Sequence, residues 1–388
     1  MSDRIDTPGE VGNVARRLVE HVPGAVVGRW DDTDGLQIGA AGVCALDQAV
    51  TADTVFDLAS VTKLFTTAAV MRLVHEGAVD LDAPVSRWVD LPEPVPSVRH
   101  LLSHRGGLLP WQPLYLRGDR SVADTIRDLP RRDHPGNTHC YSDLGFMVLG
   151  AVVAAVTGAP LAQAMDDLIC TPLGLRASYG PRTGEVATSA YGDGAERRMV
   201  TTGEPYEILI PLDSGHAEPF EAWRDHPLTG EVNDGNAHHA LDGVSGHAGL
   251  FADTSDLVLL GRAFGRTDHG LWDIAVLDEF TTPALGRSLP SRSLSKRGTS
   301  ASKCKGVDAD SEQGLGFRLR PLPDGRVLAW HPGFTGTALG FTLGESTTVV
   351  TMLTNRLLTT ADPVPTAQLW ADVLGGTGLI EESHDEDH

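Results

Sequence analysis

Phe56-Asp57-Leu58-Ala59-Ser60-Val61-Thr62-Lys63-Leu64-Phe65 opens the most strongly helical stretch in the first third of the chain. Val61, Leu64, Phe65, Ala68 and Met71 recur at helical spacing and Gly77 follows, which predicts a helix over Ser60–His75. The i,i+3 spacing of Ser60 and Lys63 sets a hydroxyl and an amine on one face, about one turn apart. A serine hydroxyl is a poor nucleophile near neutral pH without a neighbouring base. Lysine serves as that base only where burial or another cation lowers its pKa. A helix start also offers backbone N–H groups to developing negative charge. The pattern S-x-x-K recurs at Ser293–Lys296 and Ser300–Lys303, but inside a polar run with no helix to hold the geometry.

Outward from this helix, Val11, Val14, Leu18 and Val22 mark an amphipathic helix over 8–22. Two β-like runs follow, Ala25–Trp30 and Leu36–Cys44, around the turn-forming 31–35 segment, which reads as a hairpin. From 80 to 250 the chain is loop-rich and mostly helical, with an apolar helix over Leu144–Val156. Thr254–Phe264 predicts a further helix, and Val327–Trp330, Thr337–Leu343 and Thr347–Leu353 are short β-like runs before a closing helix near Ala367–Val373. An isolated hairpin is marginal, so the terminal strands are expected to join in one antiparallel sheet. The fold class is therefore α/β (α+β by some conventions): an antiparallel sheet flanked by helices, with a helical lobe inserted. The whole chain, 1–388, reads as one domain with an α/β part at about 8–78 and 252–376 and a helical part at about 79–251. Residues 286–314 are Ser-rich and aperiodic, a surface excursion, and 377–388 form an acidic tail.

Composition excludes several function classes. The chain has 388 residues, 41% of them hydrophobic and 21% charged, which is the ordinary globular range. A net charge of −21 argues against a phosphate-backbone partner, so no nucleic-acid binding is expected. No run of about eighteen apolar residues occurs, so no membrane partner is expected either. The N-terminal residues show no basic head before an apolar core, and a cytoplasmic location is the expectation. Cys44, Cys140, Cys170 and Cys304 show no CxxC and no regular spacing, so neither a disulfide nor a zinc framework is expected.

Two more segments carry chemistry. Tyr141-Ser142-Asp143 places a phenol and a carboxylate two apart, just before the second strong helix. His331-Pro332-Gly333 lies between two β-like runs, where glycine lets a substrate approach the strand backbone and the Phe334 N–H could face its carbonyl. Together with Ser60-Val61-Thr62-Lys63, and in this order, these segments resemble the serine β-lactamase and penicillin-binding-protein family, most closely its class C β-lactamase and esterase branch. Arg99–Leu108 and Gly243–Phe251 resemble further stretches of that family, and the likeness runs from about residue 22 to 375.

The resemblance implies a β-lactamase/transpeptidase-like fold and a serine hydrolase that works through an acyl-enzyme on an ester, amide or β-lactam-like small molecule, with no cofactor and no metal. Ser60 would be acylated, Lys63 would take or relay its proton, and Tyr141 would shuttle a proton to the leaving group. The backbone N–H groups of Ser60 and Phe334 would form an oxyanion hole, with Asp143, His331 and Gly333 beside the substrate. Two residues depart from the family pattern: Asp143 stands where Asn is usual, and His331 where Lys is frequent. The second change replaces a fixed cation by a group mostly neutral at pH 7 and weakens the case for binding a substrate carboxylate there. Two other classes stay open at this point. One is a metal-dependent hydrolase using the His-rich 233–247 segment, with His238, His239 and His247. The other is a non-catalytic binding protein on the same fold, although such proteins usually show a broken nucleophile motif.

Overall fold

The first paired strands, β1 (Gly24–Asp31) and β2 (Gly35–Ala45), form the expected hairpin. The Asp31 carboxylate closes its turn by accepting from the N–H groups of Thr33 and Asp34 at 2.9 and 2.8 Å. β3 (Gln48–Ala49) adds an edge, and the C-terminal part supplies β4 (Glu312–Gln313), β5 (Arg318–Pro321), β6 (Val327–Pro332), β7 (Ala338–Leu343) and β8 (Thr348–Thr354). The computed structural model describes residues 9–45, 48–118, 120–210, 220–284, 311–359 and 362–380. Among these, the strands form one antiparallel 8-stranded sheet in the order β3-β2-β1-β8-β7-β6-β5-β4. The two ends of the chain meet at its centre, with Ala25 opposite Thr354 and Asp31 opposite Thr348.

Both faces of the sheet are covered, and strand alternation decides which residue meets which cover. On one face, Ala25, Val27, Val350 and Met352 pack with Val11, Val14 and Leu18 of α1 (Glu10–Leu18) and with Trp370 and Val373 of α5 (Thr366–Gly376). On the other, Val26, Trp30, Val349 and Leu353 join a larger core with α2 (Thr62–His75), α3 (Asp143–Thr157) and α4 (Thr254–Gly265). Burial on both faces explains why β8 places apolar residues on adjacent positions, Val349-Val350 and Met352-Leu353, rather than alternating them with exposed ones.

The helix predicted from Ser60 begins instead at Thr62, after a 3₁₀ turn over Ala59–Val61 that holds the serine. Nor is α2 one-sided: Thr62 through Met71 are all buried. Its polar side chains are satisfied internally, Thr66 donating to the Gly246 carbonyl at 2.7 Å and Thr67 to the Lys63 carbonyl at 2.8 Å. Such a helix belongs to the centre of the molecule, and α2 packs directly on α3. Between 79 and 251 helices set in long loops account for most of the regular structure, and the region also contributes to two small sheets. One pairs Phe56–Asp57 and Ser178–Tyr179 with Leu250–Ala252, and the other pairs Thr188–Tyr191 with Pro227–Thr229.

Two boundaries move. Residues 285–310 of the expected surface excursion lie outside the described residues, but Glu312 and Gln313 at its end pair with β5. At the expected acidic tail, Thr377 and Leu379 are still buried, because Leu379 packs into the outer core with α1 and α5, and residues 381–388 lie outside the described residues. Among the described residues no single helix is long and apolar enough to cross a membrane.

The packing of α1 on β2 is backbone to backbone at Gly39, where a Cβ would lie 2.6 Å from both the Val11 carbonyl and Gly12 Cα. Neither neighbour is a flexible side-chain end that can swing aside. Gly39→Ala is therefore expected to lower stability by about 1–3 kcal/mol, read as a shift in the urea unfolding midpoint at unchanged slope. A midpoint equal to the wild type would show that α1 retreats without loss.

Candidate active site

Ser60 owes its position to the residues just before it. Ala59 adopts a left-handed backbone conformation, φ 44°, which an alanine takes only when its surroundings enforce it. The enforcing group is Asp57. Its buried carboxylate accepts from the Ala59 N–H at 2.8 Å and from the Asn233 N–H at 2.6 Å. Burial pushes the Asp57 pKa up to about 6, against the opposing pull of those two N–H groups. From the sheet side, Thr335 donates to the Asp57 carbonyl and Thr337 to the Leu58 carbonyl, each at 2.9 Å. Gly333 fits in this junction because it has no side chain, since a Cβ there would meet the Leu58 carbonyl at 2.6 Å. The end of β6 is thus drawn against the turn that carries Ser60.

Lys63, one helical turn on, is completely buried. Its Nζ lies 2.9 Å from Ser60 Oγ, 2.7 Å from Asp143 Oδ1 and 3.2 Å from the His247 carbonyl, which it reaches as a hydrogen-bond donor. Burial pushes the ammonium pKa down, but Asp143 and Tyr141 outweigh it and leave the pKa above its usual value. Tyr141 lies with its ring centroid 5.1 Å from Nζ. Burial raises its phenol, Asp143 adds to the rise, and Lys63 and Ser60 oppose it.

The Tyr141–Asp143 segment is held by the start of α3. Ser142 caps that helix by accepting from Gly145 N–H at 3.2 Å while donating to the Leu109 carbonyl at 2.7 Å. Asp143 is consequently not the cap and is free to meet Lys63. The Ser142 N–H donates to His104 Nδ1 at 3.1 Å, and the His104 ring packs against Tyr141 with centroids 4.5 Å apart. Burial holds His104 well below the usual imidazole range, so Nδ1 keeps the lone pair this bond requires.

A cleft of about 1000 Å³ opens over these groups, lined by Ser60, Tyr141, Asp143, Gly333 and Phe334 among others. His331 departs from expectation: its ring lies behind the wall that Pro332 and Gly333 form, packed on Tyr141 at 5.9 Å. The cause is strand alternation, which turns His331 into the interior. Burial, with Lys63 and Arg318 nearby, keeps it well below the usual imidazole pKa. Its Nδ1–H donates to the Pro332 carbonyl at 2.8 Å, leaving a buried Nε2 lone pair.

The His-rich segment does not gather a ligand set. His239 Nε2 meets Asp193 at 3.1 Å, and His247 is held between Ser245 and Asp234 at 2.6 and 3.0 Å. The His238 and His239 rings stand nearly perpendicular, 84° apart. Among the described residues no group of three or more His, Cys, Asp or Glu could hold a metal ion. The segment's contribution to the cleft is structural. Gly246 abuts α3, where a Cβ would lie 2.3 Å from the Phe146 carbonyl, and this contact sets the His247 carbonyl on Lys63. One cysteine expectation is also corrected: Cys140, next to Tyr141, is disulfide-bonded.

A family model described as Beta-lactamase matches residues 11–375. The chain belongs to the beta-lactamase family. Members of this family are serine hydrolases. One curated relative, named "Putative D-alanyl-D-alanine carboxypeptidase" in Salmonella paratyphi A, is 27% identical over 322 residues, covering 74% of this chain. The chain matches only 66% of that protein's length. Among solved structures, a penicillin-binding protein from Bacillus halodurans superposes with a TM-score of 0.65 at 18% identity, covering 95% of this chain and 99% of the other. A D-amino acid amidase from Ochrobactrum anthropi SV3, complexed with D-phenylalanine, gives 0.66 at 19%, covering 95% and 98%. EstCE1, a hydrolase with promiscuous acyltransferase activity, gives 0.66 at 21%, covering 95% and 97%. At these identities the likeness speaks for the fold.

Within this beta-lactamase-family cleft the Asp143 carboxylate has a sign that can be measured. It stabilises the Lys63 ammonium and disfavours a Tyr141 phenolate, so it raises both pKa values. The deprotonated form of either group then appears at higher pH than with a neutral side chain. Asp143→Asn is expected to shift the rising alkaline limb of kcat/KM downward by about one pH unit on a single ester. A limb that stays in place between pH 5 and 10 would show that the ion pair does not govern the base.

Proposed function

We propose that the protein is a serine hydrolase that cleaves an ester or amide through an acyl-enzyme on Ser60. The observation that carries this reading is the placement of Ser60 Oγ 2.9 Å from a fully buried Lys63 Nζ, with Tyr141 beside it at the floor of an open cleft. In the first step Ser60 Oγ forms a bond to the substrate carbonyl carbon while its proton passes to the Lys63–Tyr141 pair, which must first have lost one proton to act as the base. The carbonyl oxygen becomes an oxyanion, and the backbone N–H groups of Ser60 and Phe334 are the donors assigned to it. Collapse expels the alcohol or amine, which takes the proton back from the pair. Water then repeats the sequence on the acyl-enzyme and releases the acid, with Ser60 regaining its proton.

The pair is assigned jointly, because the two groups share one hydrogen-bonded locus and titrate together. Three features support the reading: an intact Ser60, Lys63 and Tyr141, a nucleophile turn locked from three sides, and family membership. The named relatives span a carboxypeptidase, an amidase and an esterase-like hydrolase, which fits small-molecule acyl substrates as the class. A panel of p-nitrophenyl esters, nitrocefin and D-alanyl peptides ranks the substrates within it.

The decisive test is covalent. A fluorophosphonate should label Ser60 alone, as mapped by peptide mass spectrometry, and Ser60→Ala should lose both label and turnover while remaining folded, with a cooperative thermal transition. The change removes one hydroxyl at a cleft wall and opens no large cavity. Label at Ser293 or Ser300, or turnover that survives in Ser60→Ala, would overturn the assignment.

A further inference from the structure

Past Phe334, the cleft wall includes a cation that the reaction described above does not use. Arg356 is 7% exposed, yet it lines the same cleft as Ser60 and Tyr141. Its Nε donates to the Phe334 carbonyl and its Nη1 to the Val364 carbonyl, each at 2.9 Å. The guanidinium lies over the Phe334 ring, 5.3 Å from its centroid. The stem passes over Gly336, where a Cβ would come within 2.9 Å of Arg356 Cγ and Cδ.

Among the described residues no carboxylate pairs with this guanidinium. Burial is the sole influence on its pKa, pushing it down to about 10, which still leaves a cation at neutral pH. Two other arginines, one at the cleft and one behind it, differ. Arg224, equally buried, meets Asp193 at 2.6 and 2.9 Å, and Arg198 lies 3.6 Å from Asp362. Three acidic side chains at the cleft are likewise engaged: Asp143 by Lys63, Asp234 by His247, and Glu196 by the Gly235 N–H at 2.7 Å. In a chain of net charge −21 a buried arginine without a counter-ion is conspicuous, because buried charges are ordinarily paired. Two carbonyls hold the guanidinium in place, and its remaining donors form a fork suited to a carboxylate.

We propose that Arg356 is the carboxylate-recognition residue of this cleft, so that the preferred ester or amide carries a carboxylate on the part lying along the Phe334 turn. This rests on the serine-hydrolase reading above and deepens it. His331, at the position where a lysine is frequent, is neutral and turned inward, so it supplies no charge. Arg356 restores a cation from the far side of the same turn, bound to it through the Phe334 carbonyl.

The test compares two matched ester pairs. Mono-p-nitrophenyl glutarate against p-nitrophenyl butyrate places the carboxylate on the acyl side. 4-Carboxyphenyl butyrate against phenyl butyrate places it on the leaving-group side. In one pair the wild type should favour the acidic ester, and Arg356→Gln should cut the acidic-to-neutral ratio of kcat/KM about tenfold or more, mainly through KM. Arg356→Lys should recover part of that ratio, because it keeps the charge. A structural role alone would lower both members of each pair together and leave the ratios unchanged. Unchanged ratios in Arg356→Gln, or a wild type that favours the neutral ester in both pairs, would overturn the proposal. If Arg356→Gln fails to fold, glutarate and benzoate are tested in the wild type for protection of Ser60 from fluorophosphonate. Protection by either at millimolar concentration supports the subsite, and none by either overturns it. A wild type that takes no label at Ser60 and turns over no neutral ester brings down the hydrolase reading, and the subsite falls with it.

Discussion

A lysine ammonium sealed from water sits at the centre of this structure, and much of the surrounding architecture answers to it. Taking such a charge out of solvent is costly unless a partner and further hydrogen bonds compensate. Here Asp143, the Ser60 hydroxyl and the His247 carbonyl provide them from three separate parts of the chain. Each partner is itself fixed: Asp143 by a helix start capped on Ser142, Ser60 by a 3₁₀ turn, and His247 by the Gly246 contact with α3. The same requirement explains why α2 is buried on every side from Thr62 to Met71, since a half-exposed helix would have left Lys63 a route to water.

The sheet enters the site through backbone carbonyls. Thr335 and Thr337 reach from the β6–β7 turn to the carbonyls of Asp57 and Leu58, so the edge of the cleft and the Ser60 turn are tied together. Gly333 makes that approach sterically possible. Asp57 completes the arrangement from the other direction, holding Ala59 in a conformation it would otherwise leave. The turns that carry these groups are thus tied to packed elements on both sides and to each other, which pre-organises the cleft floor.

Much of this was legible in the sequence, and what was not had a physical reason. Ser60 and Lys63 declare themselves because their chemistry needs a helical spacing inside an apolar stretch, and Tyr141 because it precedes a second such stretch. The joined terminal strands follow from the instability of a lone hairpin. Asp57, His104, Thr335 and Thr337 gave no comparable signal, because they act on backbone atoms far away along the chain. The threonine contacts span 278 and 279 residues. His331 was placed beside the substrate because His-Pro-Gly marks the strand end without fixing its phase, and one residue of phase separates cleft from interior. Arg356 is silent in sequence for another reason: what sets it apart is that no carboxylate among the described residues pairs with it.

The pairing of β1 with β8 sets the timetable of biosynthesis. β1 and β2 leave the ribosome early, but the strand that completes the centre of their sheet lies more than three hundred residues later. Until then the hairpin has one covered edge and one open one, while the helices of the middle region already have local partners to pack against. The middle of the chain therefore assembles during translation, and the sheet closes only after synthesis of the C-terminal strands. A topology with its two ends stitched together at the core completes its sheet late, and leaves a long interval in which the unpaired edge of β1 invites capture by other chains.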